Sequence, residues 1–340
     1  MDKDFTSANL FNTGSNKDGA SNSISNNNVN SNSNINSNGN NNSDNNCTMY
    51  WANLHTHCSL CDGKGEPVDY VHEAIKSRVK ILGFSCHASL PFYTGWTMTG
   101  EKQKEYLEVV SNLKKHYEKT GSDGIRIKLG LEIDYIPGIS GSNMRECKGK
   151  MQIDYSIGSV HFIGGYSPGR LVPVDSQEED LLRGIKTYFG NNTRKAVEEY
   201  YMVLQEMIGI GGFDILGHLD LIKKNNKGSL LFSEGEKWYR DIVDNTLSLI
   251  SRSGLILEVN TGGMARKYFD TTYPSPWILE KCLKLNIPIV LSSDAHQPSH
   301  VAAFFPETAK MLKYIGFKEL FTLGEKGWEP CRFTPGGICL

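Results

Sequence analysis

Seven short apolar runs recur along this chain, and six of them close on a histidine or an acid. They are WANLHTH (51–57), KILGFSCH (80–87), IRIKLGLEIDY (125–135), DYSIGSVHFI (154–163), FDILGHLDL (213–221), GLILEVNTGG (254–263) and IPIVLSSDAH (287–296). Each has the length of a strand and is rich in Ile, Val and Leu. Between most of them lie stretches with apolar residues at three- and four-residue intervals: Val68 to Ser77, Glu101 to Lys119, Lys195 to Ile208, Gly235 to Ser251 and Pro276 to Leu285. Strand then helix, repeated over one stretch of chain, predicts a single α/β barrel, since an eight-fold barrel takes about 250 residues. A doubly wound sheet would need a glycine fingerprint opening a helix after an early strand. The one glycine cluster, Gly209-Ile-Gly-Gly212, precedes a strand instead and reads as a turn.

The polar residues at the ends of these runs carry the chemistry. His55 and His57 end the first run, and His87, Glu132, His161 and His218 follow on the next four; Asp294 and His296 end the last. Active sites of barrels lie at the C-terminal ends of strands, so these residues are expected to converge on one rim. In His55-Thr56-His57 and Asp294-Ala295-His296, residues two apart on an extended chain face the same side and can reach one cation or two adjacent ones. Imidazole and carboxylate are ligands that Zn²⁺, Mn²⁺, Fe²⁺ and Co²⁺ accept, and Glu132 can bridge two of them. Burying six histidines and two acids independently at one end of seven strands would be costly without a neutralising cation. His72, His116 and His300 stand outside this set and read as ordinary imidazoles.

The motifs H-T-H-C-S-L-C-D-G (55–63), C-H-A-S (86–89), G-L-E-I-D (130–134), G-S-V-H (158–161), G-H-L-D-L-I-K-K (217–224), E-V-N-T (258–261) and S-S-D-A-H (292–296) occur in this order. Together they resemble the polymerase-and-histidinol-phosphatase (PHP) superfamily, and within it the monofunctional histidinol-phosphate phosphatases. The resemblance spans about residues 50–325. It implies a distorted (β/α)7 TIM-like barrel holding two or three divalent ions, with L-histidinol phosphate, a small phosphate monoester of histidine biosynthesis, as substrate. The ligands it implies are His55, His57, Asp62, His87, Glu132, His161, His218, Asp294 and His296. Many members of the superfamily have histidine where this chain has Asp62, which implies harder ligation there.

Divalent ions suit a phosphomonoesterase because they activate a bridging hydroxide and hold the phosphoryl oxygens. Neither the G-x-S-x-G elbow nor a C-x5-R phosphatase loop occurs, so no side-chain nucleophile is expected. Of the strand-end donors, His55, His57, Glu132, Asp294 and His296 are the expected catalytic group. Arg266 is expected to contact the phosphate with its planar fork, and Asp220 to bind the substrate ammonium or orient a ligand. Phe92, Tyr93 and Trp96 either wall the pocket or pack within their loop. Cys58 and Cys61 form a C-x-x-C, which reads either as a redox pair or as small loop residues. Another PHP phosphoesterase acting on a nucleotide or phosphotyrosine, a metal-binding barrel without activity, and an amidohydrolase remain alternatives at this level.

Residues 1–46 contain 17 Asn and 9 Ser with no apolar period, and they are expected to be a disordered tail preceding the barrel at 47–340. Without the two Lys and four Asp of that tract, the remainder has 34 basic and 34 acidic residues. That neutrality argues against a nucleic-acid partner. No apolar run of about 18 residues and no secretory leader pattern occurs, so a cytoplasmic protein without a membrane partner is expected.

Overall fold

All seven apolar runs contribute strands, yet most strands are shorter than the runs because the chain leaves the sheet where its polar residues begin. The computed structural model describes residues 49–338 apart from 122, 123 and 168; the expected tail at 1–46 lies outside the described residues. From the N-terminus, β1 (Trp51–Asn53) leads to α1 (Pro67–Lys76), β2 (Val79–Phe84) to α2 (Gly100–Thr120), and β3 (Arg126–Asp134) to α3 (Met144–Met151). After β4 (Tyr155–Ser159) come a hairpin of β5 (Phe162–Gly164) and β6 (Leu171–Pro173), then α4 (Glu178–Phe189) and α5 (Thr193–Ile210). β7 (Ile215–Leu216) precedes α6 (Lys237–Ser253), and β8 (Ile256–Asn260) precedes a single turn, α7 (Gly262–Ala265), and α8 (Pro276–Lys284). β9 (Ile289–Ser292) and α9 (Phe305–Ile315) complete the repeat. A small antiparallel sheet of β10 (Glu319–Leu323), β11 (Trp328–Thr334) and β12 (Gly337–Ile338) follows.

The seven-stranded sheet runs β1-β2-β3-β4-β7-β8-β9 with parallel neighbours throughout. It closes through one bridge, Thr56 to Ala295, where His57 N donates to Ala295 O at 2.9 Å and Ala295 N to His55 O at 3.3 Å. This is the expected (β/α)7 barrel, and the closing bridge lies between two metal-type motifs. Such a bridge holds the first and last strand ends in register, so His55 and His57 stand beside Asp294 and His296.

Tyr155 fills much of the barrel interior. Its hydroxyl crosses from β4 to donate to Leu54 O at 2.7 Å and Phe84 O at 3.1 Å, at the ends of β1 and β2. The ring passes over Gly83 and Gly130, where a Cβ would come within 2.3 and 2.4 Å of ring or hydroxyl atoms. Only glycine leaves room for it, which accounts for a glycine inside each of two buried strands. At the other end of the barrel, Tyr50 and Ile338 exchange backbone hydrogen bonds, so the last described strand is tied to the entry of the first. The turn expected at 209–212 is present: α5 stops at Ile210, and Gly211 and Gly212 take φ of 65° and 94°. Among the described residues, no helix is long and apolar enough to cross a membrane.

Candidate metal centre

Nine side chains, from the ends of six strands and the loop after β1, come together with the Glu132 carboxylate at their centre. Glu132, on β3, is buried, and its Oε2 lies 3.2 Å from His55 Nε2, 3.4 Å from His57 Nε2 and 3.0 Å from His87 Nδ1. Its Oε1 lies 2.9 Å from His218 Nε2 and 3.6 Å from His161 Nε2, and accepts a hydrogen bond from Ser159 Oγ at 2.7 Å. Asp294 Oδ1 stands 3.3 Å from His57 Nε2 and 3.7 Å from His55 Nε2. Asp62 reaches in from the loop after β1, with Oδ2 3.2 Å from His296 Nε2 and Oδ1 3.8 Å from His87 Nε2. The donors fall into three groups with the spacing of a cation site: His57, Asp62, His87 and His296; His55, His57 and Asp294; His87, Glu132 and His161. His218, the ninth, joins through Glu132.

A divalent cation fits the chemistry of this cluster. His55 Nε2, His57 Nε2, His87 Nδ1 and Glu132 Oε2 are buried polar atoms without a hydrogen-bond partner, and they point at one another. Four such atoms in one place would each carry a desolvation penalty of about 1–3 kcal/mol, which coordination to a cation removes. Electrostatics agrees. Burial would raise the Glu132 carboxyl, but the His87, His55 and His161 rings hold it well below the usual carboxylate range. Burial would likewise lower the His57 ring, yet with Asp294 beside it the ring is pushed up to about 9. His161, opposed by burial and supported by Asp134, also reaches about 9.

Two residues that sequence reasoning missed orient the donors. Glu258, on β8, accepts from His55 Nδ1 at 2.5 Å through Oε1 and from His218 N at 2.8 Å through Oε2. Asp134, two residues beyond Glu132 on β3, accepts from His161 Nδ1 at 2.7 Å. Each carboxylate fixes the tautomer that turns Nε2 inward, the usual outer-shell partnership of a metal-binding histidine. Both were recoverable from the sequence, since an acid inside the buried runs LILEVN and LGLEID must be paired. Glu258→Gln keeps the acceptor for His218 N but weakens the hold on His55. It should reduce Zn²⁺ affinity and kcat about 10–100-fold, measured by metal titration and phosphate release.

Asp220 departs from expectation. The chain turns out of the extended form after Gly217, and Asp220 begins a tight helical turn at φ −113°, ψ 36°, so it does not share a face with His218. Its buried carboxylate pairs with Lys223 Nζ at 2.8 Å and accepts from Ser275 N at 2.9 Å. Asp220 therefore secures the loop after β7 against the one before α8 and does not line the cavity over the donors. Asp294 joins the donors as expected, but by another route, since its φ of 48° is left-handed and the alternation argument does not apply there. Arg266 Nη2 holds its Oδ2 at 2.7 Å in a charge-assisted hydrogen bond.

Arg266 lines the cavity as expected, but it also touches the donors. Its Nη1 is 2.7 Å from His296 Nδ1, which lies 3.0 Å from Asp294 O. The ring nitrogen can serve only one of them. When it donates to Asp294 O, Nε2 keeps its lone pair for a cation and an Arg266 N–H is left for an anion in the cavity. That cavity, about 660 Å³, is floored by the donors and bounded by Lys64, Trp96, Lys224, Tyr268 and His300 among others. Trp96 meets His87 edge-on at 4.7 Å and stacks with Phe162 at 5.6 Å; Phe92 packs on Phe162, and Tyr93 is exposed. Of these three aromatics, only Trp96 reaches the cavity wall.

A parallel barrel that gathers imidazoles and carboxylates at the C-terminal ends of its strands is the architecture of a metal-dependent hydrolase. The chain belongs to the PHP family, whose domain description matches residues 52–262. Among curated proteins it is similar to the "Probable histidinol-phosphatase" of Deinococcus radiodurans, 30% identical over 77% of this chain and 92% of that protein. It is similar also to the histidinol-phosphatase of Bacillus subtilis, 28% identical over 73% of this chain and 94% of that one. Two solved structures share the fold. One, from Listeria monocytogenes and ascribed to a histidinol phosphatase, has a TM-score of 0.67 at 23% identity over 75% of this chain and 98% of its own. The other is the Lactococcus lactis histidinol phosphate phosphatase complexed with zinc, L-histidinol and phosphate, with a TM-score of 0.60 at 20% identity over 86% and 100%.

Proposed function

We propose that this protein is a cytoplasmic, metal-dependent phosphomonoesterase that hydrolyses L-histidinol phosphate to L-histidinol and phosphate, a step of histidine biosynthesis. The observation that carries the reading is the ring of unpartnered buried donors around Glu132, at the floor of a cavity with Arg266 on its edge. Relatives bearing the histidinol-phosphatase name align over nearly their whole length, which supports the substrate. The zinc, histidinol and phosphate of the Lactococcus lactis structure support a site of this kind. No nucleic acid or membrane enters the reaction.

His55, His57, Asp62, His87, Glu132, His161, His218, Asp294 and His296 hold two or three Zn²⁺, Mn²⁺, Fe²⁺ or Co²⁺ ions. When bound, such ions lower the pKa of a water and neutralise charge on the phosphoryl group. His55, His57, Glu132, Asp294 and His296 make up the catalytic group, with Glu132, Asp294 and His296 lining the cavity and His55 and His57 buried beneath it. Glu258 and Asp134 keep the imidazoles in the coordinating tautomer, and Glu132 holds opposite sides of the cluster at one carboxylate. Arg266 offers its fork to the phosphate while keeping Asp294 oriented. Trp96 gives the cavity wall an aromatic side chain against which an imidazole ring can pack.

Arg266→Ala removes both duties at once. KM for histidinol phosphate should rise and kcat fall, with kcat/KM down about 10–100-fold, the worth of a charge-assisted pair. A change in KM alone would mean that the Asp294 contact is dispensable. The function itself is tested by phosphate release from histidinol phosphate, a nucleoside monophosphate and phosphotyrosine, with metal content measured on the same preparation. Histidinol phosphate should lead by about 100-fold in kcat/KM, since a site built to pair polar groups rejects substrates lacking them. A lead by either competitor would replace the substrate, and no release from any would overturn the activity.

A further inference from the structure

Three thiols without a part in that reaction lie against the donor set. Each adjoins a donor in sequence: Cys58 follows His57, Cys61 precedes Asp62, and Cys86 precedes His87. All three are free. Cys58 and Cys86 are fully buried, and their Sγ atoms stand 3.3 Å apart, across the ends of β1 and β2. Cys61 is the partly exposed member, with Sγ 3.5 Å from His57 Nδ1. The C-x-x-C spacing therefore does not mark a Cys58–Cys61 pair, because the thiol facing Cys58 comes from the neighbouring strand.

We infer that Cys58, Cys61 and Cys86 form an oxidation site for small peroxides, at which a disulfide made by Cys86 releases metal from the His57, Asp62, His87 and His296 group. Hydrogen peroxide transfers one oxygen to the Cys61 sulfur, giving a sulfenic acid and water. The Cys86 sulfur attacks it and loses its proton, and a second water leaves, giving a disulfide between Cys61 and Cys86. Exchange with Cys58 then moves the bond to the buried Cys58–Cys86 pair and returns Cys61 to the thiol. The balance is two thiols and one peroxide to one disulfide and two waters.

The coupling to metal is geometric. Closing a 3.3 Å contact to the roughly 2.05 Å of a disulfide draws together the residues next to His57 and His87. Ligand distances in metal sites fall within about 0.2 Å of their standard values, so a displacement of the donors' neighbours disturbs coordination. The loop bearing Asp62 must move as well: Cys61 N and Gly63 N both donate to Cys58 O at 3.0 Å, and a Cβ on Gly63 would lie 2.5 Å from Cys58 N.

The inference rests on the metal-binding reading and not on the identity of the substrate. Zinc-loaded protein, chosen because Zn²⁺ has no redox chemistry of its own, is treated with graded hydrogen peroxide and its thiols are then alkylated. Disulfides are mapped by peptide mass spectrometry, and released Zn²⁺ is read with a chromogenic chelator. A disulfide containing Cys86 should grow in step with Zn²⁺ release, and dithiothreitol with added Zn²⁺ should restore the starting metal content. Cys86→Ala should hold the same metal before treatment and need about tenfold more peroxide to lose it. If that variant fails to fold, the mapping on the unaltered protein decides. Metal release without a Cys86 disulfide, or a Cys86 disulfide with full metal retained, overturns the proposal. Untreated protein that binds no Zn²⁺ would instead sink the metal-site reading.

Discussion

Glu132→Gln should strip the site of metal and lower turnover by about 10²–10⁴-fold, with both losses tracking each other across metal concentrations. The size follows from its position. Among the described residues Glu132 is the one carboxylate within 3.6 Å of five imidazoles, with Oε2 facing His55, His57 and His87 and Oε1 facing His161 and His218. Glutamine keeps the shape and one acceptor oxygen for Ser159, but it removes the charge that balances those rings and turns an amide toward one half of the cluster. Breaking a buried ion network from one side costs about 3–5 kcal/mol, far more than its net worth when whole. Metal stoichiometry by atomic emission, beside kcat and KM, checks this directly. Normal metal content with low turnover would move Glu132 from holding the ions to acting on substrate, and normal values of both would end the central role assigned to it.

That Glu132 stands out follows from what a strand end can announce in a sequence. The barrel was legible because parallel strands buried on both faces read as unbroken apolar runs, and β1, β2, β3, β4, β7, β8 and β9 each fall within one. The β5–β6 hairpin and α4 were not legible. Their strands are three residues each, and the run 154–163 that begins them looks like a single strand. His55 and His57 obey alternation because the backbone stays extended through the closing bridge at Thr56. Asp294 does not, since its backbone is left-handed and its carboxylate is held by Arg266, a partner 28 residues away that no local pattern announces. Asp220 misled for the related reason that a polar residue two past a ligand shares its face only while the strand lasts. β7 ends at Leu216, and the chain turns before Asp220 arrives. Glu258 was passed over because it lies inside an apolar run instead of at its end. A buried charge in mid-strand has to be neutralised by a neighbour, and here that neighbour is His55.

Removing the metal should abolish turnover, and the stability gained on restoring it should grow as pH rises from about 6.5 to about 9. In the metal-free site His57 and His161 reach about 9, raised from an ordinary 6.5. For a ring whose folded value is raised, the protonated ion pairs contribute stability fully below 6.5 and lose it as pH climbs through 9. Metal-free protein is thus expected to soften over that window. Coordination requires neutral rings, and His55 and His87 are raised well above the ordinary value as well, so ions bound at pH 7 displace protons and their affinity strengthens as pH rises through this window. Groups remote from the site titrate alike in both forms and cancel in the difference. The Tm of protein with fixed excess Zn²⁺, minus the Tm of chelator-treated protein, should therefore widen as pH rises from about 6.5 to about 9. Calorimetry in buffers of different ionisation enthalpy should detect proton release on Zn²⁺ binding at pH 7, and less of it as pH rises through about 9. A difference in Tm that stays flat across the window, or metal-free protein with full turnover, would mean that these imidazoles are not where the ions bind.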